Sequence, residues 1–351
     1  MARFAACFAT FVCAVLIGSV VHSSHAQEKK ADRSREEFLD VEHAGPDFGI
    51  QGEYEGEMAG KSKLGAQVIA HGDGNFALVF LPGGLPGAGW DGKTRIKVSA
   101  KTEAGKTAFK GDKNKSAPSF GWTGEITQGV LSGKSREGDA FLLKRVHRRS
   151  PSLGAKPPAG AIVLFDGSNA DEWKDGKLVD GFLFHVDNKW ATSKKVFRDF
   201  QAHLEFRAPF MPFARGQGRA NSGVYLAQRN KSSRPGYEIQ VLDSFGLDGK
   251  IDECGAIYGQ KAPLLNMCYP PLSWQSYDIQ FKAARFDKDG NKIAKPVLTV
   301  HHNGVKIHDD LELEENGFTG GEKTLTDKPG ALMLQNYVGK VYYRNIWVVE
   351  K

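Results

Sequence analysis

Cysteine is scarce, and where it falls excludes more than its count does. The 351-residue chain has four. Cys7 and Cys13 sit in an amino-terminal apolar run, which leaves Cys254 and Cys268. No C-x-x-C and no histidine pair at zinc spacing occurs, so a structural zinc site is not expected. In an exported chain the remaining pair would bridge, closing a loop of about 15 residues worth roughly 3 kcal/mol. Two free buried thiols are the competing reading. Long apolar runs are absent beyond the first one, so nothing later reaches the roughly 20 apolar residues of a membrane span. Charge of one sign is lacking too: 47 Lys and Arg are interleaved with 41 Asp and Glu, for a net charge of +6. Nucleic-acid binding asks for a dense basic stripe, and only the short KRVHRRS hints at one. There is no G-x-S-x-G and no phosphate-cradling glycine loop. No sustained helical period follows residue 160.

What is present begins with a leader. Arg3 precedes FAACFATFVCAVLIGSVV, and SSHA precedes Gln27. A basic start, an apolar middle and small residues at the end predict a secretory signal over 1–26, cut after Ala26. A retained anchor is the weaker alternative. The mature chain is then expected in the periplasm, cell envelope or medium. Residues 27–50 open with the charged, aperiodic QEKKADRSREEFLD and read as a mobile arm. Over 51–147, short segments such as NFALVFL, TRIKVSA and AFLLKRV alternate with HGDGN and LPGGLPGAGWDG turns. That pattern is a small all-β domain. Its Trp90 and Trp122 read as core or turn packing before they read as sugar platforms. Residues 148–160 (RRSPSLGAKPPAG) form a Pro/Gly linker. From 161 to 351 strand follows strand, and HHNGVKI places Asn303-Gly304 between two of them, a strong hairpin signal. The expected fold is all-β: a two-sheet jelly-roll sandwich preceded by the smaller all-β domain.

The stretch GYEIQVLDS carries the functional question. Tyr237, Ile239 and Val241 suit a buried face, yet Glu238 and Gln240 share the other and Asp243 stands at the end. Alternation makes Leu204, Phe206, Val224, Leu226, Ile239 and Val241 core candidates. Glu205, Arg207, Asn221, Tyr225, Glu238 and Gln240 then fall on the opposite side of three successive strands. If those strands are neighbours, acid, base, amide and phenol make one patch suited to sugar hydroxyls and a pyranose face. A plain solvated sheet is the alternative. DKDGNK begins like a calcium loop but has lysine where glycine belongs, so it reads as a turn. His185 and His203 read as surface strand residues, and of the adjacent His301 and His302 at most one can reach a site.

VLFDGSNADEW, RANSGVYL, YEIQVLDS, CGAIYG, SYDIQF, HNGVKIHDD and YRNIWV occur in order between Ala161 and Lys351. Together they resemble the 3-keto-disaccharide hydrolase domain family, with a concanavalin-like jelly roll. LGAQVIA and LPGGLPG resemble segments that precede this domain in planctomycete-type exported proteins. The resemblance implies cleavage of a 3-keto-glycoside or 3-keto-disaccharide. The ketone acidifies the neighbouring C–H, a base removes that proton, the enolate expels the anomeric oxygen, and water adds back. It also implies site residues. Glu238 would be the general base, its pKa raised if Tyr225 desolvates it, with Asp243 the next best carboxylate. Glu205 would serve as acid or pair with Arg207. Arg207, Arg219 or a divalent cation would steady the enolate oxygen. Asn221, Tyr225, Gln240 and Gln335 would bind substrate. One departure stands out: family members often carry Asp-His-Gly where this chain has Asn336, Tyr337 and Val338. A non-catalytic carbohydrate-binding protein of the cell envelope and a conventional glycosidase therefore stay open as alternatives.

Overall fold

Strands dominate because the apolar residues alternate and the turns are glycine-rich. The computed structural model describes residues 32–60, 62–187, 189–228, 236–314 and 328–351. The expected leader, and the arm before residue 32, lie outside them. The first eight strands are β1 (Gly52–Met58), β2 (Ser62–Ala70), β3 (Asn75–Pro82), β4 (Ile96–Glu103), β5 (Lys106–Lys110), β6 (Thr123–Thr127), β7 (Val130–Lys134) and β8 (Ala140–Val146). They pair in sequence order, and β8 returns to β1 to close a barrel. In β4, Ile96, Val98 and Ala100 are buried while Lys97 and Ser99 between them are exposed, the period-2 pattern of a half-wetted wall. Phe80, Phe109, Phe141 and Trp122 fill the interior, with Phe80 and Trp122 centroids 4.5 Å apart. The barrel is thus a packed core, and Trp122 belongs to it. Trp90 is half-buried and donates its indole N–H to Thr94 O at 2.7 Å.

The second set is β9 (Ile162–Phe165), β10 (Trp173–Lys174), β11 (Gly176–Val179), β12 (Phe182–His185), β13 (Ala191–Phe197), β14 (Phe200–Arg207), β15 (Ser222–Gln228) and β16 (Tyr237–Val241). It continues with β17 (Gln275–Lys282), β18 (Arg285–Phe286), β19 (Lys292–Ala294), β20 (Val297–His302), β21 (Val305–Glu312), β22 (Gly330–Leu334) and β23 (Tyr342–Glu350). A five-stranded sheet runs β10-β13-β22-β15-β16, and an eight-stranded one runs β11-β12-β23-β14-β17-β20-β21 with β9 beside β23. The two inner faces meet in one core that includes Leu204, Phe206, Val224, Leu226, Ile239 and Val241. This is an all-β jelly-roll sandwich preceded by a smaller all-β domain. The β20–β21 hairpin turns on Asn303 (φ 51°) and Gly304 (φ 79°), the left-handed pair that a two-residue type I′ turn demands. DKDGNK is indeed a turn: Asp287 accepts the N–H groups of Asp289 and Asn291 at 2.9 and 2.8 Å. No helix among the described residues is long and apolar enough to cross a membrane.

Two expectations need correction here. Residues 33–50 were expected to form a mobile arm, but they are folded onto the rest. Phe38 exchanges both backbone hydrogen bonds with Phe210 at 2.9 Å, and the short helix α1 (Gly45–Ile50) brings Phe48 within 5.3 Å of the same ring. The few aromatics hidden among the charges supply apolar contacts that composition averages away. Cys254 and Cys268 are free thiols, both buried. The two thiols hydrogen-bond each other; Cys254 Sγ also lies 3.3 Å from the Tyr277 hydroxyl, and Cys268 Sγ faces the carbonyls of Leu242 and Tyr269 at 3.6 and 3.5 Å. Burial pushes the Cys268 thiol well up, which keeps it protonated.

The linker is a strap, tied down at several points. Arg148 holds buried Glu53 of β1 with two hydrogen bonds of 2.7 and 2.5 Å. The hydroxyls of Ser150 and Ser152 reach Ser276 of β17 at 2.6 and 2.8 Å. The Gly154 N–H donates to Glu205 of β14 at 2.5 Å.

Candidate functional site

The site is built on the outer face of the five-stranded sheet, where β15, β16 and β22 lie side by side. Tyr225 pairs across the ladder with Glu238, and Gly223 with Gln240. Since Val224, Ile239 and Leu334 point into the core, Tyr225, Glu238, Gln240 and Gln335 point away from it. Glu238 is nonetheless buried, and Tyr225 donates its hydroxyl to Glu238 Oε2 at 2.7 Å. Trp190 covers Tyr225, with ring centroids 5.2 Å apart. Beneath the carboxylate lies Gly223. A Cβ there would run into Glu238 Oε1, so the strand needs its glycine for room. Gly223→Ala is expected to displace the carboxylate, and if the pocket uses Glu238 in catalysis, kcat falls roughly 10²-fold, as a misplacement near 1 Å costs. Steady-state kinetics beside a thermal melt would check it, because the loss should exceed any change in stability.

A pocket of about 170 Å³ opens over these residues, lined by Gln217, Asn221, Glu238, Gln240, Tyr258, Gln335 and Tyr337. Its side is an amide relay. Asn221 Nδ2 donates to Gln217 Oε1 at 2.8 Å and Gln240 Nε2 to the same oxygen at 3.2 Å. Gln217 Nε2 donates to Asp252 O at 2.7 Å. The donors are therefore turned toward protein acceptors, and two buried amide oxygens, Gln240 Oε1 and Gln335 Oε1, have no donor. An unmet buried acceptor is costly.

Not every expected residue comes here. Glu205 and Arg207 are on β14, in the other sheet, so their outward side chains face the opposite side of the sandwich. Glu205 is buried under the strap, bonded to Arg344 Nε at 2.6 Å and Asn345 Nδ2 at 3.0 Å. Arg207 lies over the rings of Phe182, Trp274 and Tyr342, 5.1–5.6 Å from their centroids, a cation–π arrangement. Neither joins the pocket. His203, expected on the surface, is buried against Asp278 at 2.6 Å. Arg219 and Asp243 do meet, as a buried ion pair at 2.8 Å, but neither lines the pocket. Among the described residues no group of three or more His, Cys, Asp or Glu side chains could hold a metal ion, and the pocket's one carboxylate falls far short of the oxygens a calcium ion takes. The donor set does not fit a cation held by carboxylates.

The family described as "3-keto-alpha-glucoside-1,2-lyase-like domain" matches residues 160–349. The chain belongs to this family. Three solved structures from Parabacteroides distasonis ATCC 8503, each provisionally named a glycosyl hydrolase, are also similar to it. One is 30% identical and covers 55% of this chain and 85% of its own, at a TM-score of 0.48. The others are 18% and 21% identical, covering 55% and 54% of this chain and 94% and 99% of theirs, at TM-scores of 0.40 and 0.41. A search of curated proteins gives no match.

As a 3-keto-α-glucoside-1,2-lyase-like protein, the chain belongs among carbohydrate-active proteins. Three residues of its lyase-like pocket escaped the sequence reading: Gln217, Tyr258 and Tyr337. All come from loops, where no periodicity points. Tyr258 stood within CGAIYG, one of the segments that carried the resemblance, and Tyr337 within the departure after Gln335. Burial raises the Tyr258 phenol pKa, and the charges of Glu238 and Asp252 raise it further. At neutral pH the Tyr258 phenol is thus protonated, in the same pocket as Glu238.

Proposed function

We propose that the chain cleaves glycosides whose sugar ring carries a 3-ketone, by elimination followed by hydration. Glu238 takes the proton from C2, which the adjacent ketone acidifies. The electron pair passes into the enolate and then expels the C1–O bond, leaving a C1–C2 double bond conjugated with the ketone. The Tyr258 phenol gives its proton to the departing oxygen, and the proton that Glu238 took passes to the phenolate, so both groups are restored. Addition of water across the double bond regenerates a 3-keto sugar, so the sum is hydrolysis. The amide side chains of Gln240 and Gln335, which line the pocket with Glu238, fix the sugar over the base.

One observation carries the reading: among the described residues lining the pocket, Glu238 is the one carboxylate, and it is buried over a glycine that makes room for it. Ordinary retaining hydrolysis needs two carboxylates about 5 Å apart, whereas elimination next to a ketone needs one base. The test is incubation with a 3-keto-disaccharide and its unoxidised parent, watching for released monosaccharide. Release from the ketone form alone is expected. Release from the parent, or binding of the ketone form without turnover, would overturn the reading. Export belongs to the same proposal and rests on the amino-terminal sequence; mature protein starting at Gln27 in the envelope or medium checks it.

A further inference from the structure

We propose that Tyr337 is the platform for a second ring, the leaving half of the substrate, outside the pocket that holds the reacting ring. The inference rests on the reading of that pocket as a sugar site and adds what lies at its mouth.

Size comes first. About 170 Å³ is well below the roughly 300–1,000 Å³ that encloses a drug-sized ligand. It takes one pyranose. With C2 of that ring against Glu238 on the floor, the anomeric oxygen and whatever it carries must leave through the opening. The side chain standing there is Tyr337, 58% exposed and the one aromatic among the large, exposed hydrophobics of the described residues.

A single exposed apolar side chain is ordinary, so the case depends on how this one is held. Its backbone is fixed on both sides, and by the pocket's own strand. The Gln335 N–H donates to Gly223 O and the Val338 N–H to Asn221 O, each at 2.9 Å. Val338 is buried, and Gly339 follows at φ 74°, where a Cβ would press on Met211 Sδ at 2.9 Å and Pro209 Cγ at 3.1 Å. The preceding Asn336 faces a different hollow, beside Phe184, His185 and Lys340. The loop thus sends Tyr337 alone over the sugar pocket from a rigid base, and no chain tether has to be ordered on binding.

The chemistry at the mouth fits a neutral ring. A phenol offers an apolar face for the C–H side of a pyranose and a hydroxyl for its edge. Tyr258, the other aromatic lining the pocket, is its neighbour, since Tyr337 contributes to the field that raises the Tyr258 pKa. The leaving oxygen would therefore pass beside the phenol that protonates it while its sugar rests on Tyr337.

The experiment compares a 3-keto-disaccharide with methyl 3-keto-glucoside in wild type, Tyr337→Ala and Tyr337→Phe. In wild type the disaccharide should show the lower KM. In Tyr337→Ala that advantage, taken as the ratio of the two KM values, should shrink about tenfold, and Tyr337→Phe should keep it. An unaltered ratio in Tyr337→Ala, or an equal loss in Tyr337→Phe, would overturn the platform. The same two sugars are titrated calorimetrically against wild type and Tyr337→Ala that have been freed of product. If no cleavage occurs yet the disaccharide binds more tightly through Tyr337, the catalytic reading falls and the platform stands. If wild type binds the two sugars equally, the platform falls whatever the turnover.

Discussion

Glu238→Gln should lower kcat on a 3-keto-disaccharide by about 10²–10⁴-fold, the usual worth of a positioned base, and leave KM within a few fold. The reasoning is geometric. Glutamine keeps the size that fits over Gly223 and still accepts from the Tyr225 hydroxyl, bonded to the carboxylate at 2.7 Å, but it cannot take a proton from carbon. An interaction used only as the transition state forms shows in kcat, while uniform binding shows in KM. Two controls separate mechanism from damage: the circular dichroism melt should hold, and the exchange of the C2 proton with solvent deuterium, followed by NMR, should stop in parallel with cleavage. If cleavage continues at the wild-type rate, Glu238 is no base. If exchange persists while cleavage stops, Glu238 acts after proton removal, and the assignment must shift to another group.

How much of this was legible in the sequence depends on what alternation encodes. Period 2 separates the two faces of a strand, and that reading held: Leu204, Phe206, Val224, Leu226, Ile239 and Val241 are all in the core. Asn303-Gly304 announced its hairpin because few other pairs accept two positive φ angles in succession. Period 2 does not say which sheet a strand joins. In a sandwich, both sheets point inward to one core, so two strands with the same pattern can have their polar faces on opposite sides of the molecule. That is what separates Glu205 and Arg207 on β14 from Tyr225 and Glu238 on β15 and β16. The loop between β14 and β15 carries the chain from one sheet to the other. The same loop supplies Gln217 from a single 3-10 turn at Gly216–Gly218, and such a turn leaves no periodic trace. Charge misled in a second way. Arg219 and Asp243 have the residue types of a catalytic pair, yet they neutralise one another in the interior, where an unpaired charge would be costly.

Glu205→Gln should destabilise the fold by about 3 kcal/mol or more, since breaking a buried ionic network strands its remaining members. Glu205 Oε1 accepts from the Gly154 N–H at 2.5 Å and from Asn345 Nδ2 at 3.0 Å, while Oε2 accepts from Arg344 Nε at 2.6 Å. His203 stands between this carboxylate, at 3.5 Å, and Asp278, at 2.6 Å. Burial alone would raise the Glu205 pKa, but hydrogen bonds from His203, Asn345, Gly154 and Arg344 outweigh it and hold the group at about 2. A carboxylate held below its unfolded value near 4.3 contributes fully above that value, and the contribution drains away as pH falls toward 2. His203 has the opposite sign. Burial lowers its pKa, yet the bonds to Asp278 and Glu205 prevail and raise it, so its contribution is complete below about 6.5 and fades as pH climbs through the raised value. Urea denaturation of wild type and Glu205→Gln across pH should therefore show a gap that is widest near pH 5–6, where both groups are charged, and that closes toward pH 2. His203→Gln should flatten the alkaline limb and leave the acid one. Because Gly154 belongs to the strap, limited proteolysis of Glu205→Gln should cut near residues 152–157 before the sheets unfold. A gap independent of pH would mean that Glu205 contributes by shape and not by charge, and an uncut strap would mean that Arg148 and the serines hold it without help.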